Sequence, residues 1–473
     1  MKTKIRPYLT WSLAISAAFL FDDVSYGLNA SLFSSLSVLA LLFLYSEIPL
    51  KRKALAILPH LCIALYLSLY PQALSVFFWY LSYLLMWSMA AVSNSSLLLP
   101  FQGILSMVAS PFKHWAPKPS PPQSESLQEQ EVKQVQNNNR WAAIILVSII
   151  VVVFAFLYAL SNPLFSKVLD GIQWPEFEGD LVWSSLGIYL LLYGLIRFYR
   201  MKALERINEL PENLTSADYP RDHPEFPIAK WSLIIVSGML VIMNLSDLVV
   251  IFSGKLPSGM SYSEYVHQGF YSLIFSMALA LGLMVIFFRG ALNFHDQVHR
   301  IRKIAQFWII QNLALALITA YKNMLYVEVY GLTYKRIGVF ACLLAVSLGL
   351  VLMIRKIKHA RSNWYFFNRL SVLGYALVMI YALIPYDLCI TRYNLRYAQA
   401  KDLYYIQSLA RPDLVELENY IQKMPEGSEE YRYTRDFLER MKNSVQQKKH
   451  LKSWRDWNCY RNYVFSAFER EVQ

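Results

Sequence analysis

The sequence predicts an all-α fold, a polytopic transmembrane helical bundle of about 11 spans with a small helical extracytoplasmic C-terminal domain. The 473 residues are 56% hydrophobic and 16% charged, against about 45–50% and about 25% in soluble domains. Mean hydropathy is +0.31, and apolar runs of the length that crosses a bilayer recur along the chain. This composition excludes an ordinary cytosolic enzyme, a fibrous protein and a disulfide-rich secreted protein.

Eleven apolar runs are the predicted spans. They are 8–21, 28–45, 54–69, 72–92, 141–161, 181–196, 228–252, 265–288, 304–325, 335–354 and 366–386. The first and third are short, so each could instead be a re-entrant or tilted arm. The run 97–112 contains Pro100 and Pro111, which favours an interfacial segment.

Polar stretches divide these runs into four predicted regions. Residues 1–112 form an N-terminal membrane unit of about four spans, and 141–386 form a C-terminal unit of about seven. Residues 113–140, rich in Pro, Ser, Gln and Asn, are predicted to be a disordered cytoplasmic linker. Residues 387–473 form the extracytoplasmic helical domain, with helices at 399–410, from Pro412 at the first helical position, and at 429–450 after Ser428.

The positions of Lys and Arg predict the orientation. Basic clusters precede the first span and follow the second, sixth, eighth and tenth, so all of them fall on one side of the membrane. The positive-inside rule then places the N-terminus in the cytoplasm and the C-terminus outside. The net charge of +12 is thereby explained by topology and by affinity for membrane lipids, without a nucleic-acid partner.

Polar side chains gather at the predicted outer ends of the later spans. The candidate residues of this cluster are Asp247, Glu264, Tyr265, His267, Lys322, Tyr326, Tyr330, Arg336, Arg392 and Asn394. Because a charge inside hydrocarbon is costly, these groups should face one another or water. We expect an outward-facing polar pocket with Asp247 near Lys322 or Arg336. The alternative is a set of interface anchors with one stabilising ion pair.

Two further patterns give weaker indications, one of a metal site and one of a disulfide. His295 and His299 form H-D-x-x-H, which is similar to a zinc-binding layout. The third ligand is missing, so a polar helix end is the favoured interpretation, and neither a metal nor a cofactor is predicted. Cys389 and Cys459 are the two cysteines of the C-terminal domain, and sequence alone leaves open whether they form a disulfide or stay free.

The functional hypotheses follow from the catalytic motifs that the sequence lacks. Nucleotide-hydrolase, α/β-hydrolase and C-x-x-C redox signatures do not occur, which favours a non-enzymatic protein and predicts no catalytic residue. The leading hypothesis is an envelope scaffold or sensor subunit that meets a protein partner through its C-terminal helical domain. The alternative is an outward-facing protein that binds or modifies a lipid or glycan, with Asp247, His267 and Tyr330 as candidate ligands or acid/base groups. A solute transporter is the third.

Four strings carry a family resemblance. They are EYVHQGF at 264–270, LYVEVYGLT at 325–333 followed by Arg336, TRYNL at 391–395 and SWRDWN at 453–458. The sequence resembles the bacterial domain-of-unknown-function family 4173 over roughly 19–463. The resemblance implies a polytopic inner-membrane protein with an extracytoplasmic helical tail, and it brings no catalytic residues. These strings coincide with the polar cluster at the outer ends of the spans.

Overall fold

The computed structural model describes residues 2–47, 49–91, 180–196, 210–215, 225–253, 270–449 and 453–469. The first ten helices of these ranges are α1 (Lys2–Phe21), α2 (Leu28–Leu44), α3 (Leu50–Leu69), α4 (Ala73–Ala91), α5 (Asp180–Ile196), α6 (Glu225–Ser253), α7 (Phe270–Phe287), α8 (Val298–Tyr330), α9 (Tyr334–Lys358) and α10 (Asn363–Ala382). The described ranges contain no β-strand. The predicted span 141–161, the predicted linker 113–140 and the segment 97–112 lie outside them.

Ten of the predicted spans thus correspond to helices, and five of these are long and apolar enough to cross a membrane. These five are Ala73–Ala91, Phe226–Ser253, Val298–Tyr330, Tyr334–Lys358 and Asn363–Ala382. The count of about eleven spans stays a prediction, since the other apolar helices are shorter in the described ranges. The last predicted span was expected to reach residue 386. Helix α10 ends earlier because Pro385 interrupts it and begins the next helix.

The helices pack around two apolar cores that share α10. One core is built from α1–α5 and receives Met379 and Ala382 from the end of α10. The other is built from α6–α9 and receives Phe366 from the start of α10. Helix α10 therefore joins the two halves of the bundle.

Helix α6 shows the kind of surface that lipid requires. Only 11% of its apolar window is buried in the protein, and large apolar side chains project outward along its whole length. Trp231 is 59% exposed, Met239 66% and Phe252 83%. A soluble protein does not present so large a continuous apolar surface to water. This helix is membrane-like on its outer face.

Basic side chains collect at one end of the bundle, where α7 and α9 end and α8 begins. We call this the basic end, and its residues are Arg289, Arg300, Arg302, Lys303, Lys356, Lys358 and Arg361. Fully buried Lys356 donates from Nζ to the Phe288 carbonyl oxygen, 2.6 Å away. Arg302 donates to the Asn293 carbonyl oxygen at 3.0 Å. Both cations therefore satisfy carbonyl groups around the C-terminus of α7.

The remaining helices form a layer on the opposite end of the bundle. They are α11 (Tyr386–Arg396), α12 (Leu403–Ser408), α13 (Leu414–Ile421), α14 (Glu429–Lys449), a 3₁₀ turn (Trp454–Asp456) and α15 (Cys459–Glu469). We call residues 386–469 the C-terminal layer and this end of the bundle the layer end. The layer has its own apolar core, to which Leu417, Leu438 and Val464 contribute.

Two helix starts in the layer can be compared with the sequence analysis. Pro412 does not occupy the first helical position of α13, because the Asp413 carboxylate caps this helix by accepting from the Glu416 backbone N–H at 3.2 Å. Ser428 accepts from the Tyr431 backbone N–H at 3.2 Å at the start of α14, as predicted.

The layer meets the loop between α1 and α2 through its main chain. The Leu28 backbone N–H donates to the Trp457 carbonyl oxygen at 2.9 Å, and Arg455 donates to the Phe19 carbonyl oxygen. A Cβ atom on Gly27 would lie 2.5 Å from the Trp457 carbonyl oxygen. The close approach of the layer therefore requires a residue without a side chain at position 27.

The layer also meets the second helical hairpin of the N-terminal half. The Tyr70 hydroxyl donates to the Arg411 carbonyl oxygen at 3.1 Å, and its ring packs against Tyr460 with centroids 5.2 Å apart. Gln72 donates to the carbonyl oxygens of Ala382 and Ile384 at 3.2 and 2.9 Å. These contacts hold the layer, α10 and the N-terminal half together.

We predict that Gly27→Ala loosens the layer. The added Cβ would overlap the 3₁₀ turn, and overpacking of this kind costs about 1–3 kcal/mol. Thermal unfolding in detergent should show a lower midpoint, and limited proteolysis should release the segment after residue 453 sooner. Gly238→Ala on α6 is the matched control, because nothing lies within 4 Å of its added Cβ. Equal midpoints for the two variants would contradict the close contact.

Candidate functional site

The predicted charge pair lies inside the bundle, toward the layer end. Lys322 Nζ on α8 is 2.6 Å from Asp247 Oδ1 on α6, and the side chains are only 11% and 13% exposed. A neighbouring contact joins the same two helices, since the Asn244 amide donates to the Gln311 carbonyl oxygen at 3.1 Å. The low exposure means that each charge depends on the other for stabilisation.

A glycine turn connects α8 to α9 and fits against α11. Gly331 has φ +78°, which side-chain-bearing residues rarely adopt. A Cβ there would lie 2.5 Å from Asn394 Oδ1. The Asn394 side chain accepts from the Leu332 backbone N–H at 2.6 Å and donates to the Leu332 carbonyl oxygen at 2.9 Å. One amide side chain thus pairs with both backbone groups of this turn.

Arg336 is fixed over the end of α8. Its guanidinium carbon lies 4.2 Å from the Tyr326 ring centroid and 5.9 Å from that of Tyr330. Its Nη1 donates to the carbonyl oxygens of Tyr330, at 2.8 Å, and Gly331. The i, i+4 spacing of the two tyrosines on α8 brings their rings into tilted contact, with centroids 4.8 Å apart, and so builds the surface on which the guanidinium rests.

A cavity of about 330 Å³ opens where this turn meets the C-terminal layer. We call it the Arg336 pocket, and its polar lining includes Tyr330, Arg336, Asn394, Lys401, Asp402 and Tyr405. Three of these side chains belong to the predicted cluster. The sequence analysis missed Lys401, Asp402 and Tyr405, which follow the last apolar run. Hydropathy does not reveal that the chain after this run packs back against the end of the bundle.

Two buried carboxylates anchor the layer beside this pocket. Asp387 accepts from the Tyr334 hydroxyl and, at 2.9 Å, from the Arg411 backbone N–H. Asp413 is 2.6 Å from Arg392 Nε. Hydrogen bonding to Asp413, opposed by partial burial, raises the pKa of Arg392. Arg392 therefore stabilises the layer by pairing with Asp413, and it does not line the pocket.

The structure separates the predicted cluster into two sites. The Asp247–Lys322 pair does not line the Arg336 pocket, and Lys322 and Tyr330 are eight positions apart on α8, about 12 Å along the helix axis. Asn323, which follows Lys322 on α8, links the ion pair to the start of α9, because its side-chain amide donates to the Arg336 carbonyl oxygen at 3.0 Å. The other predicted members, Glu264, Tyr265 and His267, lie outside the described residues.

The weak metal candidates do not share a helix face. His295 ends a 3₁₀ turn and stacks on Phe226 at 3.9 Å, whereas His299 is the second residue of α8. The Gln297 backbone N–H donates to the His295 Nδ1 at 3.0 Å. Within the described ranges, no three His, Cys, Asp or Glu side chains are placed to hold a metal ion. His295 and His299 therefore do not form the i, i+4 pair on one helix face that the zinc-binding layout requires.

Cys389 and Cys459 are both free thiols in the structure. Cys389 lies on α11, which packs against α13, and Cys459 begins α15, which packs against α3, α13 and α14. The two cysteines thus belong to two different helices that both pack against α13.

Fold and site together define a membrane-type helical protein with a polar site where its C-terminal layer meets the bundle. The chain belongs to a family without an assigned function, since the family model described as Domain of unknown function (DUF4153) matches residues 13–420. The family that the strings resemble, 4173, is therefore not the one supported. The match includes the Arg336 pocket and ends before the SWRDWN string. Comparison with curated proteins and comparison with solved structures each found no match.

We predict that the Asp247–Lys322 pair is strongly coupled. Lys322→Met leaves a carboxylate in a buried setting, a change that costs about 3–5 kcal/mol in comparable pairs. Lys322→Met with Asp247→Asn should therefore cost less than the two single changes added together. A double-mutant cycle of detergent unfolding measures this coupling.

The matched control is the surface pair Arg435–Glu439 on α14, whose side chains are both 59% exposed. Its cycle should show no resolvable coupling. Additive effects at Asp247 and Lys322, like those at the control pair, would contradict a buried ion pair.

We predict that acid releases the layer from the α1–α2 loop. Burial of the Asp456 carboxyl raises its pKa, whereas two hydrogen bonds from Arg461, at 2.8 and 2.9 Å, and one from Ser25 lower it. The lowering is the larger effect, so the pKa of Asp456 lies below the ordinary value of about 3.9. Because this pKa is lower in the folded than in the unfolded protein, the ionised carboxylate stabilises the fold at pH values above the unfolded-state pKa. This stabilisation is lost as the pH falls through the folded-state pKa.

The protection of the backbone amides of residues 453–469, measured as the ratio of intrinsic to observed exchange rate at each pH, should therefore be constant down to about pH 4 and decrease below it. Asp456→Asn should weaken the attachment at pH 7 and remove part of the acid dependence. An unchanged pH profile in this variant would show that Asp456 does not control the attachment.

Proposed function

We propose that this protein is a non-enzymatic envelope component, a scaffold or sensor subunit, that works through its C-terminal layer. It resides in the bacterial inner membrane with its N-terminus in the cytoplasm and the layer outside. The observation that carries the proposal is the placement of the layer and the basic residues at opposite ends of the bundle. Basic residues favour the cytoplasmic side, so the layer is the part available to the exterior.

Aromatic side chains support this placement. Trp454 and Trp457 are 58% and 38% exposed and lie beside the start of α2, at the boundary of the layer and the bundle. Tryptophan prefers this depth in a membrane because its ring is apolar and its N–H is polar. Elsewhere in the layer, the rings of Tyr404 and Tyr433 are in tilted contact, with centroids 4.8 Å apart, and both side chains are exposed. Tyrosines of this kind are common in surfaces that bind protein partners.

The second candidate function is binding of a lipid or glycan at the outer face. The Arg336 pocket favours it, because the pocket combines aromatic and hydrogen-bonding side chains at the end of the bundle. His267, a predicted acid/base group for lipid or glycan modification, lies outside the described residues.

Thiol labelling in intact cells tests the orientation. In a background with the four native cysteines replaced, Glu439→Cys on α14 should react with a membrane-impermeant maleimide from outside. Arg300→Cys at the basic end should react only after the membrane is permeabilised; both positions are exposed in the structure. The reverse pattern would overturn the proposal, because the layer would then face the cytoplasm.

A further inference from the structure

The Arg336 pocket carries positive charge that the protein itself does not neutralise. Arg336 and Lys401 both line it, and neither forms an ion pair in the described part of the chain. The carboxylate in the lining belongs to Asp402, which accepts from the Tyr405 backbone N–H at 2.9 Å to cap α12. Among the lining residues, two cations outnumber this partly engaged carboxylate, and the Asp387 carboxylate beside the pocket is engaged by the Tyr334 hydroxyl and the Arg411 backbone N–H.

The pocket also presents hydrogen-bond donors. Arg336 uses Nη1 for backbone carbonyls, and its Nε and Nη2 donate to no acceptor in the described residues. The Tyr405 hydroxyl accepts from the Tyr334 backbone N–H at 3.1 Å, and the Thr333 hydroxyl accepts from the Arg336 backbone N–H at 3.3 Å. Each hydroxyl therefore keeps its own hydrogen for donation.

The guanidinium is held in place before any ligand arrives. Stacking on Tyr326 at 4.2 Å and the backbone contacts of Nη1 restrict its orientation. Little conformational entropy is then lost on binding, which favours affinity. A fixed guanidinium beside a flexible ammonium suits an anion with several oxygens, because the planar fork binds two oxygens and the ammonium a third.

The volume limits the ligand. About 330 Å³ is at the lower end of the range for small-molecule sites, and it exceeds what a lone phosphate fills. Tyr330 lines the pocket at the end of α8, and in the proposed orientation this end of the helix lies at the outer membrane surface, where lipid headgroups occur. These sizes and positions suit a phosphate group that carries a small polar substituent.

We propose that the Arg336 pocket binds a phosphate ester, with Arg336 and Lys401 contacting the phosphate oxygens. Arg336 belongs to membrane helix α9 and Lys401 to the C-terminal layer, so the ligand bridges the bundle and the layer. The inference deepens the proposed sensor function by naming the ligand class that the layer responds to. The phosphate comes either from the headgroup of an anionic lipid or from a soluble phosphate ester.

Binding is tested on the purified full chain in an uncharged detergent. Isothermal titration calorimetry with glycerol 3-phosphate and with inorganic phosphate measures the soluble source. Thermal unfolding in micelles doped with phosphatidylglycerol, compared with uncharged diacylglycerol, measures the lipid source. Binding of glycerol 3-phosphate supports a soluble ester, and stabilisation by phosphatidylglycerol alone supports a headgroup.

Variants connect the signal to the pocket. Lys401→Ala should weaken binding about tenfold, the effect of losing one charge-assisted hydrogen bond, and Lys401→Arg should restore most of it. Lys335→Ala is the matched control, because Lys335 is exposed, neighbours Arg336 and does not line the pocket. It should change affinity less than about twofold. Arg336→Lys should also weaken binding, since the ammonium lacks the two-pronged geometry.

Two results would overturn the inference. One is failure of every phosphate probe to bind or stabilise the folded wild-type protein. The other is equal weakening by Lys335→Ala and Lys401→Ala, which would indicate diffuse surface charge. Lys401 is exposed, so its replacement should not prevent folding. The Lys401 variants therefore still test the inference if an Arg336 variant fails to fold. The labelling experiment measures orientation alone, so failure of phosphate binding leaves the proposed placement of the layer standing.

Discussion

The architecture depends on two close contacts that only glycine permits. The backbone of the 3₁₀ turn lies against Gly27, and the Asn394 side-chain amide lies against Gly331. In both places an added Cβ would lie 2.5 Å from an oxygen atom. The contact of the layer with the α1–α2 loop depends on the first, and the turn beside the Arg336 pocket depends on the second.

Charge at the layer end is arranged in a consistent way. Asp247 pairs with Lys322, Asp413 with Arg392 and Asp456 with Arg461, so these partly buried carboxylates are matched by cations. Such pairs fix geometry more than they add net stability, because desolvation offsets most of the attraction. Arg336 differs, since aromatic rings and carbonyl oxygens hold it instead of a carboxylate. A cation held in this way remains available to an anion from outside the protein.

Much of the membrane part follows from the sequence, because burial in lipid makes hydropathy and helix length reliable guides. The pairing of Asp247 and Lys322 also follows, from the cost of leaving either charge alone in hydrocarbon. The contacts of the layer do not. Ser25 and Asp456 are 431 positions apart, and their hydrogen bond depends on how several short helices stack. Local patterns mislead in the same way at His295, where the chain turns before α8 begins.

The central claim is that the C-terminal layer lies directly on the α1–α2 loop, and proximity crosslinking measures this most directly. In membranes containing a cysteine-free background, Leu28→Cys with Trp457→Cys should be joined by a short bifunctional thiol reagent, since the Leu28 backbone N–H and the Trp457 carbonyl oxygen are 2.9 Å apart and neither replacement removes a group that anchors the layer. Mass spectrometry should then find a peptide containing position 28 linked to one containing position 457. Leu28→Cys with Glu439→Cys, at the exposed face of α14, is the matched negative pair. Linkage in the negative pair but not in the first would contradict the account.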